Sequence, residues 1–203
     1  MKNYLASLLL LSATVVLPSC RETSKLPEPA NESIPLIIPE INSQKSYFDY
    51  ANSRVSVNTA TTTNTVRPVF EFVVNPSQGY GELQTVEVFK SFRRGATLGP
   101  RVKVQDLTSF PATVTINSQD ALTGLLPTSA VGGVAPTPLL AATPAAINRI
   151  LPNDAVVFTF EYVMKDGRRI VLTPLSTTAG SVGAPTGSSI NAPLAAVAAF
   201  KTL

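Results

Sequence analysis

Ala155-Val156-Val157-Phe158-Thr159-Phe160-Glu161-Tyr162-Val163, then Lys165-Asp166-Gly167-Arg168, then Arg169-Ile170-Val171-Leu172-Thr173, is the stretch that decides the fold class of this chain. Its apolar residues recur at every second position, so Val156, Phe158, Phe160 and Tyr162 share one face of a strand. Gly167 can take a positive φ and close a tight turn. The second segment returns, and Pro174 ends the ladder because it has no N–H to donate. The three pieces together predict a β-hairpin with one face turned to a core.

The same period runs outward from there. Residues 68–74 put Phe70, Phe72 and Val74 on one face, and residues 85–89, 101–104 and 112–116 alternate likewise, as do residues 54–58. Turn chemistry such as Asn75-Pro76-Ser77-Gln78-Gly79 separates them. Short strands with recurring turns predict a mainly β chain folded as an antiparallel β-sandwich of about seven strands, not a parallel sheet with crossover helices. Two short helices are expected in loops. Ser118 can cap residues 119–123 with Gly124 closing the turn, and Thr143 can cap residues 144–149 with proline at the first helical position. Residues 125–142 and 176–189, rich in Pro, Gly, Ala, Ser and Thr, read as long loops. The Ala-rich tail 192–200 fits a final strand through Val197 that covers a sheet edge, with a short helix as the alternative.

The N-terminus carries a different signal. Lys2 is followed by an apolar run from Leu5 to Leu17, and the run ends in Leu17-Pro18-Ser19-Cys20. The apolar stretch is too short for a stable transmembrane helix and has the charged start and small residue of a secretory signal. Cys20 is the chain's one cysteine. A lone thiol in an oxidising compartment is open to pairing between molecules, whereas an acylated one is not. The reading is a signal peptide over residues 1–19, an acylated Cys20 opening a Pro-rich tether over residues 20–45, and a β-sandwich domain over residues 46–203. An ordinary signal cut near Ser19, with Cys20 a bystander, is the alternative. Pro35 and Pro39 flank an apolar run, Leu36-Ile37-Ile38, that also suits an edge strand.

Composition narrows the chemistry. Charged residues are 14% of the chain, the formal charge is +3, and part of that excess leaves with Lys2, so the chain lacks the basic footprint of a nucleic-acid binder. There is no histidine. A His/Cys metal site and a Ser-His-Asp or Cys-His nucleophile are therefore ruled out, and neither a cofactor nor enzymatic activity is expected. There is also no tryptophan, which removes the strongest platform for stacking a sugar but leaves the tyrosines.

Two clusters stand out as candidate binding sites. Lys90, Arg93, Arg94, Arg101 and Lys103 surround a turn at Gly95 and suit contact with anionic headgroups or an acidic partner. The plainer reading is a solvated turn with outward charges. Tyr47, Phe48 and Tyr50 form an aromatic knot that suits a sugar or peptide, or else seals the bottom of the sandwich. Tyr80 is a further stacking candidate. Lys165, Asp166, Arg168 and Arg169 read as hairpin polarity. Glu71, Glu87 and Glu161 each fall opposite the presumed core stripe, as a solvated sheet face predicts, and no carboxylate pair shows a spacing that implies acid/base work.

The signal and its terminal cysteine resemble those of bacterial lipoproteins. Val86-Glu87-Val88-Phe89-Lys90-Ser91-Phe92, Ser109-Phe110-Pro111-Ala112-Thr113-Val114-Thr115-Ile116 and Phe158-Thr159-Phe160-Glu161-Tyr162-Val163-Met164-Lys165-Asp166-Gly167-Arg168 resemble Ig-like β-sandwich lipoproteins of the Bacteroidota, some of which are similar to accessory proteins of SusCD-type nutrient uptake systems. The resemblance implies an outer-membrane, lipid-anchored, non-catalytic binding or assembly module. Its partners would be the membrane, through acyl chains on Cys20, and a protein or glycan. A glycan-binding accessory of an uptake system is the alternative function. Arg21-Glu22-Thr23 supplies only one acid after the cysteine, so the periplasmic and cell-surface faces both stay open.

Overall fold

A computed structural model describes residues 35–53, 67–77, 80–127, 137–140, 150–173, 175 and 194–202. Cys20, the alternating segment 54–58 and the helix expected at 144–149 lie outside the described residues. In chain order the elements are β1 (Glu40–Ile41), β2 (Tyr47–Asp49), β3 (Val69–Val74), β4 (Leu83–Arg94), β5 (Thr97–Leu98), β6 (Val102–Leu107), β7 (Ala112–Asn117), α1 (Ser118–Leu122), β8 (Ala155–Met164), β9 (Arg169–Val171) and β10 (Ala196–Lys201). Short 3-10 turns occupy Ser43–Lys45 and Tyr80–Glu82.

The chain is mainly β and its two sheets form a sandwich. One sheet has the order β1-β3-β7. In the other, β2, β10, β8 and β4 run side by side. β5 and β6 follow one another along the free edge of β4, and β9 precedes β10 along one edge of β8. Neighbours are antiparallel except β2 and β10, which run parallel. With β3 and β7 in one sheet and β4, β8 and β10 in the other, this is the pairing pattern of an immunoglobulin-type sandwich. Val197 lies in a strand, so the tail closes a sheet as expected.

Period two explains the core. Phe70, Phe72 and Val74 of β3 are fully buried and face Val156, Phe158, Phe160 and Tyr162 of β8. Phe158 stacks on Phe70 at 5.7 Å and packs against Phe72 at 5.3 Å, while Phe200 of β10 stacks on Phe48 of β2 at 5.3 Å. Each fully buried phenylalanine stabilises by about 1.5–3 kcal/mol relative to exposure, so these rings bind the two sheets together. The hairpin turn forms as its sequence directs, with Gly167 at φ 85° and Asp166 Oδ1 accepting from the Arg168 N–H at 2.9 Å.

The domain begins before residue 46. Ile37 is fully buried, its N–H donates to the Tyr162 hydroxyl at 3.2 Å, and it bridges to Pro76. β1 then pairs with β3, so residues 35–41 are an edge strand and not the end of a free tether. Pro35 and Pro39 fit there because their missing donors face an open edge. The cap of α1 also differs from expectation. Asn117, one residue earlier than Ser118, accepts from the N–H groups of Gln119 and Asp120, while Ser118 turns inward and is buried. Gly124 at φ 74° ends the turn as expected. Leu125 and Leu139, at the two ends of the long Pro/Gly/Ala loop, are joined by a 3.0 Å backbone bond and contribute to the core.

Candidate functional site

The five cations of the expected basic cluster do not share a surface. Alternation along β4 sends Val86, Val88, Lys90 and Phe92 to the core face. Lys90 is 5% exposed, and its Nζ donates to the Asp120 carbonyl at the end of α1, at 2.5 Å. Burial pushes its pKa down to about 8, against the opposing pull of Asp120. Arg94 reaches Asp154 through Nε at 3.0 Å and Nη2 at 2.7 Å, and Asp154, only 3% exposed, also accepts from the Leu151 N–H. Arg93 lies at the last turn of β4, opposite Leu98.

Arg101 and Lys103 lie on the outward face of the larger sheet, where the expected solvated carboxylates meet them. Arg101 stacks over the Phe89 ring at 4.0 Å and pairs with Glu161, with side chains 5% and 10% exposed. Lys103 bonds both Glu87 and Asp106 at 2.8 Å. A register shift between Val88 and Phe89 makes Val104 an extra residue of β6, which is why Lys103 and Asp106 point the same way. Glu87 and Glu161 are direct cross-strand partners, and Arg169 of β9 bonds both. Lys103 and then Arg169 hold the Glu87 carboxyl below its ordinary range. The two carboxylates and the three cations Arg101, Lys103 and Arg169 form an ion-pair lattice. Glu161, expected to be solvated, is buried, with Arg101 and Arg169 paired to its two oxygens.

The aromatic knot splits. Phe48 is core. Tyr50 packs against the core edge with its hydroxyl 3.5 Å from the Ile150 carbonyl. Tyr47 stays half-buried beneath Lys201, whose Nζ is 5.3 Å from the ring centroid. These residues seal one end of the sandwich and line no described cavity. Tyr80 lies in the 3-10 turn before β4. Among the described residues no group of three or more Cys, Asp or Glu is arranged to hold a metal ion, and no helix is long and apolar enough to cross a membrane.

A cleft of about 430 Å³ opens instead where the ends of β3 and β6 and the starts of β4 and β7 converge. It is lined by Asn75, Pro76, Leu83, Thr108, Ser109, Phe110 and Pro111. Pro76 is fixed by its bridge to Ile37, and Ser77 donates to the Leu36 carbonyl at 2.9 Å through its N–H, so the chain enters the domain beside the cleft. Phe110 packs on the core, which fixes its ring. Among the described residues no charged one lines the cleft. The side chains of Asn75, Thr108 and Ser109 make no hydrogen bond to any described residue, so an amide and two hydroxyls are open to a ligand. Sequence reading took Asn75-Pro76 as turn chemistry and missed this site.

No protein-family model, no curated protein and no solved structure matches the chain.

Proposed function

We propose that this protein is a non-catalytic bacterial envelope lipoprotein, anchored in the outer membrane through acyl chains on Cys20, whose sandwich is a binding module held beside the bilayer. The observation that carries this reading is the sequence Leu17-Pro18-Ser19-Cys20 at the end of a charged-then-apolar leader, with that cysteine the single one in the chain. Several acyl chains at about 0.8 kcal/mol per buried methylene make such an anchor durable. Within the sandwich, the cleft is the binding surface this reading favours.

The test is intact-mass and N-terminal peptide spectrometry of protein purified from its native membrane. The expected result is a chain that starts at Cys20 and carries the mass of acyl groups, and a Cys20→Ser variant that leaves the membrane fraction. An unmodified thiol, or a start elsewhere, overturns the reading.

A further inference from the structure

We infer that the cleft lined by Asn75, Thr108, Ser109 and Phe110 is a binding site for a neutral saccharide. This inference rests on the reading of the domain as a binding module and names the ligand class of that module.

The lining selects the chemistry by elimination. None of the described charged residues lines this cleft. A phosphate, sulfate or carboxylate ligand would lose its hydration without gaining a counter-charge, which is unfavourable. A wholly apolar ligand would strand an amide and two hydroxyls that now reach water. An extended peptide bound by strand addition would need a free strand edge in the cleft, and the lining comes from loops and strand ends. What fits is a ligand with an apolar face and a rim of hydroxyls. Phe110, Pro76, Pro111 and Leu83 offer flat apolar surface. Asn75, Thr108 and Ser109 offer groups that both donate and accept, matching hydroxyls that do the same. A concavity of a few hundred Å³ with a few convergent polar groups is a usual form of a small-ligand site, and the mixed polar and apolar lining here suits a ligand that is itself mixed.

The site is also preorganised. Phe110 is held by the core and Pro76 by the Ile37 bridge, so binding would freeze few side chains and lose little entropy. Two of the three tyrosines that sequence reading offered for a sugar, Tyr47 and Tyr50, are engaged by Lys201 and by the Ile150 carbonyl and are not among the residues lining this cleft; the third, Tyr80, lies in the turn before β4.

The test is calorimetric titration of the full chain in a detergent without a sugar headgroup. The probes are maltohexaose, cellohexaose, xylohexaose and mannohexaose, set against hexagalacturonate and dextran sulfate. The expected result is binding to at least one neutral oligosaccharide and not to the charged pair. Asn75→Ala and Thr108→Val, both at exposed positions, should each weaken that binding about five- to tenfold, the equivalent of one lost hydrogen bond. Phe110→Ala should weaken it at least tenfold, with Phe110→Leu as the variant that keeps core packing and still loses the ring. Tyr47→Ala should leave binding unchanged. The inference is overturned if no neutral probe binds, if the charged probes bind as tightly, or if the cleft variants bind like the parent. The intact mass of the same preparation reports acylation independently, so a failure of the anchor and a failure of the sugar site are separate results.

Discussion

Replacing Lys90 with methionine should make this protein more stable at neutral pH, and the gain should fade as the solution becomes alkaline. Lys90 occupies a core position of β4 between Val88 and Phe92, and among the described residues its Nζ has one hydrogen-bond partner, the Asp120 carbonyl. Burial lowers its pKa from 10.5 to about 8, with Asp120 opposing. Between those two values the unfolded chain holds a proton that the folded chain has released. Stability therefore rises with pH across that window, and below pH 8 the penalty of the buried charge is fully present. The gap corresponds to roughly 3 kcal/mol, of which about 2–3 kcal/mol is recovered between pH 7 and pH 10. Lys90→Met keeps the stem and discards the charge, at the loss of one hydrogen bond worth about 1 kcal/mol. The variant should exceed the parent by about 2 kcal/mol at pH 7 and match it or fall slightly below near pH 10. Tyr162, raised by burial to about 12 while the Ile37 N–H opposes, acts in the other direction. The unfolded phenol ionises first, so its contribution lowers stability only above pH 10. Urea unfolding followed by far-ultraviolet circular dichroism at pH 7, 8, 9 and 10 reads both proteins. A variant less stable than the parent by the same amount at every pH would refute the reasoning, because it would mean that the ammonium group reaches water and that its carbonyl bond is worth more than its burial costs.

Asp154→Asn should destabilise by about 1–3 kcal/mol in the same unfolding assay, because a carboxylate 3% exposed then loses its charge against Arg94 and one of its acceptors. Glu71 is held near 2 by hydrogen bonds from Lys45, then Asn42 and Thr115. Its contribution is complete above pH 4.5 and is lost as pH falls toward 2, so Glu71→Gln should show a shallower acid limb than the parent below pH 4.5. Gly99→Ala should cost about 1–3 kcal/mol, read as a fall in the urea midpoint, because its Cβ would lie 2.0 Å from the Leu126 carbonyl oxygen, and backbone there must move.

What sequence made legible, it made legible through period two. β3, β7 and β8 were readable because each has three or more apolar residues on one parity, and the main core takes that parity; the other parity of β8, which carries Val157, Thr159 and Glu161, is buried as well. The same rule placed Lys90 on the core face of β4, since it shares the parity of Val86, Val88 and Phe92, but reading it as one of a group of cations hid the fact. Composition grouped Lys90, Arg93, Arg94, Arg101 and Lys103. Geometry separates them, because adjacent residues of a strand point in opposite directions and because the extra residue Val104 re-aims Lys103 and Asp106. The start of the domain was half legible, since prolines at 35 and 39 suit a tether and an edge strand equally and only the burial of Ile37 decides between them. The cleft was not legible. Its residues come from three separate stretches, 75–76, 83 and 108–111, and only the sheet topology brings them to one end of the sandwich.

The disposition of charge and the neutrality of the cleft are two sides of one arrangement. The net charge of +3 would ordinarily suggest an anion-binding face, and the loop around Gly95 holds enough cations to supply one. Arg101 and Lys103, however, already lie at hydrogen-bond distance from Glu161, Glu87 and Asp106, and Arg94 from Asp154. A free anion would have to displace a carboxylate that is tethered in place and so competes at a high effective concentration. Displacing Glu161 from Arg101 would further leave a buried carboxylate short of one partner, which typically costs several kcal/mol. These cations therefore stiffen the outward face of the larger sheet and are poorly placed to recruit an acidic partner. Groups that are free to bond without breaking an existing pair are found at the other end of β4, where Asn75, Thr108 and Ser109 surround the ring of Phe110. Recognition by this domain is consequently expected to be insensitive to salt, since no phosphate or carboxylate contact is being screened, and to depend instead on shape and hydroxyl pattern.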